Sequence, residues 1–424
     1  MSAHAGHAHA RAAPRHRPRR LPVVVLTGYL GAGKTTLLNY ILREQSDKKL
    51  AVIENEIGEV SIDDSLVEQK HQEMGEELVV LDNGCICCTI RKDLVATLLK
   101  VAEKVQNGHA LDGVLIELTG AADPAPVVQT FFMKEEIGAA FFVDNVVALV
   151  DAKHALMKLA EANDDPDAKG TACAQIAFSS TVLLNKVDLA DEKRLAEIEA
   201  RVREINTTAE VIRCQNAAAP LSKLFGVGAF NLAKVLAEAA PFNGFRGSED
   251  DFASGWMKPR MDKSISNVGV RCEGMIGMDL FQRFMDDLLA TDEDAMDFLR
   301  VKAVLNVAGS DKKFVLQAIH MLRHGGFVDA EWAEGEARES KIIFIGRGMQ
   351  PRRKALTDAF QACVVQPPRF ALGTEVLANV GAWERGRVIA HWDDLKPYRV
   401  RLHTGREVYA PLDDDCVIRA AADS

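Results

Sequence analysis

The chain has 424 residues, enough for two or three domains that each bury a core. Its 48% hydrophobic and 26% charged content is that of an ordinary globular protein, with no run near the roughly 18 apolar residues a membrane span needs. The net charge of −10 argues against a general nucleic-acid binder, so neither membrane nor nucleic acid is expected as a partner.

Met1–Arg20 holds five Arg and four His (His4, His7, His9, His16) and no acid. It reads first as a disordered tail, with weak organelle targeting and a loose metal-collecting arm as alternatives. No apolar signal-peptide core is present, so a cytoplasmic location is expected. Of the eight cysteines, five (Cys173, Cys214, Cys272, Cys363, Cys416) are scattered singly and are expected to be reduced packing or surface residues.

Leu21–Thr27 is a short β-branched apolar run, expected as a buried parallel strand. Gly28–Thr36 follows as a loop and Thr36–Gln45 has helical spacing. Further strands are expected at Ala51–Glu54, Leu78–Leu81, Gly113–Leu118, Val146–Val150 and Thr181–Leu184, with a helix over Lys92–Val105. This alternation predicts an α/β domain with a doubly wound, mostly parallel sheet over residues 21–240. Pro241–Ser264 lacks periodicity and reads as a linker. Residues 265–366 are expected to form an α+β domain of strands covered by two helices on one face. Residues 371–424, rich in short strands, suggest a small SH3-like or Tudor-like β-barrel. Trp383, Trp392, Tyr398 and Tyr409 in that unit could line an aromatic cage, although at strand spacing such residues are more often core.

Gly28-Tyr-Leu-Gly31-Ala32-Gly33-Lys34-Thr35 satisfies G-x-x-x-x-G-K-[ST] between a strand and a helix. Its backbone, from Gly28 through Thr36, is expected to close around phosphates. Lys34 would reach the β/γ-phosphates and the Thr35 hydroxyl would ligate Mg²⁺. Asn185-Lys186-Val187-Asp188 is the N-K-x-D guanine-reading motif, with Asp188 accepting from the base and Asn185 expected on its other edge. That selects GTP. Val114–Glu117 reads as a strand ending in a catalytic acid placed to hold the Mg²⁺ shell or the attacking water, and Gly120 would offer its N–H to the γ-phosphate. Glu117 stands where most GTPases use Asp.

Cys85, Cys87 and Cys88 lie within four residues, between a short strand and a helix. Close-set thiolates suit Zn²⁺, with Co²⁺ as an alternative, and the nearby Glu54 and Glu59 could complete the ligand set. Three thiolates leave a tetrahedral site one ligand short, as a transfer site requires.

Gly28–Thr35, Ile53–Glu59 with Ile62-Asp63, the Gly84–Cys88 turn, Glu117–Pro124, Val150–Ala152 and Asn185–Asp188 occur in the order seen in CobW-type GTPases, which this chain resembles. Leu299–Ala303 and Ser340–Arg347 look like signature strands of the CobW C-terminal domain. Leu224–Leu232 is similar to the eukaryotic zinc-chaperone branch. The resemblance implies a GTPase metallochaperone that binds zinc at the cysteine turn and passes it to client metalloproteins. Hydrolysis would gate release, with Glu54–Asp64 as the switch and a homodimer among the expected assemblies. The alternatives are a cobalt or iron chaperone for a cofactor or enzyme-activation pathway, and a GTP-regulated interaction protein without metal transfer. Pro241–Ser264 lacks the histidine run of many members. Residues 1–21 lack the cysteine of the docking motif for methionine aminopeptidase that similar eukaryotic members carry, which puts that client in doubt.

Overall fold

A computed structural model of the chain describes residues 20–45, 48–54, 78–80, 89–120, 122–161, 171–230, 265–289, 297–320, 322–333 and 335–421. Residues 1–19 of the tail, the linker over residues 241–264 and the 240 boundary of the first domain fall outside these residues.

The first unit is built on strands β1 (Leu21–Gly28), β2 (Leu50–Glu54), β3 (Leu78–Val80), β4 (Gly113–Glu117), β5 (Phe141–Asp151), β6 (Thr181–Asn185) and β7 (Glu210–Arg213). They form one sheet in the order β3-β2-β4-β1-β5-β6-β7, and every pairing is parallel. Helices intervene as α1 (Lys34–Glu44), α2 (Thr89–Gln106), α3 (Ala125–Met133), α4 (Glu135–Ala140), α5 (Ala155–Glu161), α6 (Thr171–Phe178) and α7 (Glu192–Ile205). The two-residue period of a strand divides each apolar run between the sheet faces. In β1, Val23 and Val25 join one core with α2, α3, α6 and α7, while Val24 and Leu26 join a second with α1 and the segment around Ala217 and Leu224. Both faces are covered, which is why these strands read as continuous apolar runs.

β5 is longer than the sequence suggests, because Asp144 and Asn145 look like a polar break. Both are buried inside the strand. The Asp144 carboxylate accepts from the N–H groups of Gly226 and Gly228 at 2.6 and 2.7 Å, and the Asn145 amide donates to the carbonyls of Lys223 and Leu224 at 3.2 Å. The dipeptide thus pins the chain after β7 back onto the sheet. Asp144→Ala would remove the acceptor of the buried Gly228 N–H and of the part-buried Gly226 contact, and we expect it to lower unfolding free energy by about 1–3 kcal/mol, read from the urea midpoint at constant m-value.

The second unit contains β8 (Ile265–Glu273), β9 (Met275–Ile276), α8 (Met278–Leu288), β10 (Phe298–Leu305), β11 (Lys312–Ile319), β12 (Leu322–Glu331), β13 (Glu339–Arg347), α9 (Met349–Gln361) and β14 (Val364–Val365). Its main sheet is antiparallel in the order β12-β11-β10-β13-β8, and β9 pairs with β14. α8 and α9 share one core with the sheet through Phe281, Met285, Leu356 and Phe360. β12 carries little local strand signal: His324-Gly325-Gly326 breaks the alternation, and as an edge strand it is mostly exposed. The sequence also did not show what covers the rest of the sheet. Leu299, Ile319, Ile343 and Ile345 join the core of the first unit, and Asn267 donates to the carbonyls of Arg203 and Glu204 at the end of α7.

The last unit is a five-stranded antiparallel sheet of β15 (Glu375–Asn379), β16 (Trp383–Asp393), β17 (Lys396–Leu402), β18 (Glu407–Ala410) and β19 (Ile418–Ala420), in the order β18-β17-β16-β15-β19. The sequence does not mark β19, only three residues long, which returns to pair with the first strand. A core of Val376, Val388, Tyr398, Val400, Leu402 and Ile418 holds the unit together. The four aromatics do not converge. Tyr398 is fully buried, Trp383 stacks on Arg419 at 4.0 Å, and Tyr409 lies on the outside against Arg399. Trp392 packs its backbone against Gly309 of the second unit, where a Cβ would come within 2.5 Å of its carbonyl oxygen.

Candidate functional site

The turn from β1 into α1 depends on glycine geometry. Gly28, Gly31 and Gly33 have φ of 141°, 75° and 108°. A Cβ on Gly28 would lie 2.5 Å from the Leu149 carbonyl oxygen, and one on Gly33 would lie 2.6 Å from the Asn185 amide nitrogen. α1 begins at Lys34 with no side-chain cap and no acid in its first turn. Its leading N–H groups and the positive end of its dipole are therefore left for an anion. The buried Lys34 ammonium is held by the carbonyls of Gly28 and Tyr29 at 2.9 and 3.4 Å.

The structure brings the other sequence-selected residues to this loop. Thr35 Oγ1 donates to Glu117 Oε1 at 2.9 Å, joining the loop hydroxyl to the acid at the end of β4. Gly120 packs so close that a Cβ would sit 2.5 Å from the Leu30 nitrogen. Any other residue there would push the two loops apart. Lys186 adopts φ 61° and donates to the Gly31 carbonyl at 2.8 Å and to Asp151 at 2.9 Å. Asp188 is exposed in the 3₁₀ turn Val187–Leu189.

Asn185 has a use the sequence did not suggest. Its amide donates to the Ala32 carbonyl at 2.9 Å, and its carbonyl accepts from the Ala217 N–H at 2.9 Å. It ties the phosphate loop to the segment after β7, so its polar atoms are engaged with protein rather than directed only at a base edge. Asp151 and Gln175 also went unassigned in the sequence. Burial works against the Asp151 charge, but hydrogen bonds from His154, Lys186 and the Lys153 N–H outweigh it and hold its carboxyl below the usual range. Gln175 donates to the carbonyls of Gly120 and Ala122, both at 3.2 Å. No local motif announces such residues, because the partners that tie them to the site, Lys186 for Asp151 and Gly120 and Ala122 for Gln175, lie 35, 55 and 53 positions away.

Cys85, Cys87, Cys88 and Glu59 lie outside the described residues, as do the Glu54 side chain and residues 55–64 of the expected switch. The strands leading to them are described. Glu54 of β2 pairs with Val80 of β3 on one side and with Glu117 of β4 on the other. At strand spacing, Val80 and Glu117 are roughly 10 Å apart across the sheet. The chain thus leaves β3, five residues before Cys85, at the sheet end that carries Glu117. Among the described residues no group of three or more His, Cys, Asp or Glu is placed to hold a metal. Cys173, Cys214, Cys272 and Cys363 are buried. Burial pushes the thiols of Cys214, Cys272 and Cys363 up to about 11, so at neutral pH they pack as protonated side chains.

Residues 22–213 match the family model for the CobW/HypB/UreG nucleotide-binding domain, and residues 265–364 match that for the cobalamin synthesis protein cobW C-terminal domain. The chain is 33% identical over 328 residues to the zinc chaperone YjiA of Escherichia coli, covering 77% of this chain and 94% of that protein. It is 34% identical over 241 residues to the zinc-regulated GTPase metalloprotein activator 1 of Dictyostelium discoideum, and there spans about half of each chain. The crystal structure of Zn(II)-bound YjiA GTPase superposes with a TM-score of 0.60 at 30% identity, covering 82% of this chain and all of that one. A triple mutant of YjiA, with one glutamate and two cysteines replaced by alanine, is also Zn(II)-bound and gives a TM-score of 0.61.

Proposed function

Because the chain belongs to the CobW/HypB/UreG family and carries its C-terminal domain, we propose that it is a GTP-hydrolysing zinc chaperone whose nucleotide state sets its hold on the metal. Lys34 and the first turn of α1 bind the β/γ-phosphates. Thr35 and Glu117, already hydrogen-bonded to each other, fit a shared Mg²⁺ through a hydroxyl and a carboxylate oxygen. That ion, when bound, neutralises charge developing on the phosphates. Gly120 offers its N–H to the γ-phosphate, Glu117 orients the attacking water, and Asp188 reads the guanine. Asn185 sets the position of the guanine-reading turn relative to the phosphate loop.

The observation that carries the coupling is the shared register of β3, β2 and β4. The segments holding Cys85, Cys87, Cys88 and the Glu54–Glu59 carboxylates emerge from strands that end in line with Glu117. A change at the γ-phosphate therefore acts on the start of the metal loop across about two strand spacings. Zn²⁺ is the preferred cargo, with Co²⁺ a weaker competitor, and metalloproteins that receive it are the partners. Coupling is reciprocal: if GTP changes zinc affinity by some factor, zinc changes GTP affinity by the same factor.

Competition against a zinc chelator tests this, with the chain held by a non-hydrolysable GTP analogue or by GDP. We expect the two zinc dissociation constants to differ by about 5- to 150-fold, the usual range of coupling energies. Equal affinities in both states would remove the coupled-chaperone reading. Because a YjiA variant lacking two cysteines is still Zn(II)-bound, the informative readout is this nucleotide-dependent difference rather than zinc content.

A further inference from the structure

α6, Thr171–Phe178, lies between the phosphate site and the second unit, and from Cys173 onward all its residues are buried. Five of those six are apolar or cysteine, and Gln175 is the exception, at 2% exposure. A buried carboxamide on an apolar helix costs desolvation unless its hydrogen bonds repay it. Its two acceptors are the carbonyls of Gly120 and Ala122. Gly120 itself packs against Leu30 of the phosphate loop. The Thr119 carbonyl, which shares a peptide plane with the Gly120 N–H, accepts from the Ala122 N–H at 3.0 Å, so holding Gly120 and Ala122 from α6 holds that plane and the direction of the Gly120 N–H.

The far end of α6 is gripped from the second unit. Arg300 of β10 is 1% exposed, donates to the carbonyls of Phe178 and Ser179 at 3.2 and 3.1 Å, and lies over the Phe230 ring at 4.8 Å. Leu299 beside it shares the core that buries Phe178. One short helix therefore contacts the Gly120 turn from Gln175 in its middle and a buried guanidinium of the next unit at its C-terminal end, one turn further on.

We propose that Gln175 is a positioning residue for GTP hydrolysis, aiming Gly120 at the γ-phosphate, and that Arg300 holds α6 in the register this requires. The proposal rests on the GTPase reading above and deepens it. It implies discrimination between nucleotides: GDP has no γ-phosphate, so its binding is indifferent to where Gly120 points.

The test uses the full chain and compares Gln175→Met, Arg300→Met and Arg300→Lys with wild type. Binding of GDP and of a non-hydrolysable GTP analogue is measured, with kcat and KM for GTP. In Gln175→Met, which keeps side-chain length and removes the donor, we expect kcat or GTP-analogue affinity to fall about tenfold, with GDP affinity within about twofold of wild type. Arg300→Met should show the same pattern, and Arg300→Lys should recover most of the loss because an ammonium also donates to carbonyls. Equal losses for GDP and the GTP analogue would overturn the proposal by showing a merely structural role. A folded Gln175→Met with wild-type kcat and affinities would overturn it too. If Gln175→Met fails to fold, the Arg300 pair decides: no difference between Met and Lys overturns the proposal. Failure of wild type to bind the GTP analogue would instead remove the underlying GTPase reading.

Discussion

Lys34→Ala is expected to reduce GTP hydrolysis by roughly a hundred- to a thousandfold, the scale seen when one charged or hydrogen-bonding stabiliser of a transition state is removed. The ammonium of Lys34 is buried under the turn of Gly28 and Tyr29, in contact with both carbonyls. Lys186 cannot take its place without rebuilding the loop, since it is held by Gly31 and Asp151. The accompanying loss of binding should be larger for GTP than for GDP, because Lys34 is expected to act on the β/γ-phosphates and GDP carries only the first of them. Fold should be retained, as the α1 core of Leu37, Leu38 and Ile41 is untouched. Single-turnover hydrolysis and equilibrium binding of both nucleotides check this, and a variant hydrolysing GTP at the wild-type rate would remove Lys34 from the mechanism.

Replacing Cys85, Cys87 and Cys88 together by serine is expected to weaken nucleotide-linked zinc binding by at least about a thousandfold, or about 4 kcal/mol. Serine is close in size to cysteine, but its hydroxyl stays protonated at neutral pH and is a poor zinc ligand, so the change removes three anionic donors with little change in volume. GDP affinity should be unaffected, because Lys34, Lys186 and Asn185 are held by contacts within the phosphate loop and the segments beside it. The difference between zinc affinities in the GTP and GDP states should disappear with the thiolates. Persistence of that difference would place the coupled metal elsewhere, whatever total zinc the variant carries. Single replacements should be intermediate and non-additive, because the three donors act on one ion.

The two experiments separate the halves of the function. Lys34→Ala should leave a zinc-binding protein unable to use GTP, and the cysteine variant should leave a nucleotide-binding protein unable to link it to zinc. Gln175 and Arg300 lie between these extremes, where loss of positioning is expected to spare GDP binding.

The sequence by itself determined the parts whose chemistry is carried by neighbouring residues. The phosphate loop, N-K-x-D, the acid ending an apolar strand and the cysteine turn are each continuous in the chain, so spacing alone constrains what they can do. Strand and helix periodicity likewise pointed to the parallel sheet and a following α+β unit, whose antiparallel pairing only the structure showed. It underrated elements with a weak local signal: the ends of β5, where Asp144 and Asn145 imitate a break, the exposed edge strand β12, and the three-residue β19. Only tertiary structure decided how the parts are joined. Strand order placed β2 between β3 and β4, bringing Glu54 into line with both Val80 and Glu117. Packing of the second sheet on α6 and α7 brought Arg300 to residues more than a hundred positions earlier. The same folding turned Asn185 and Gln175 into struts for the phosphate loop and its neighbour. The physical reason is range. Backbone geometry enforces contacts within a turn or an element, whereas contacts between distant segments follow from which apolar faces bury together, and a linear pattern of residues does not encode that partner choice.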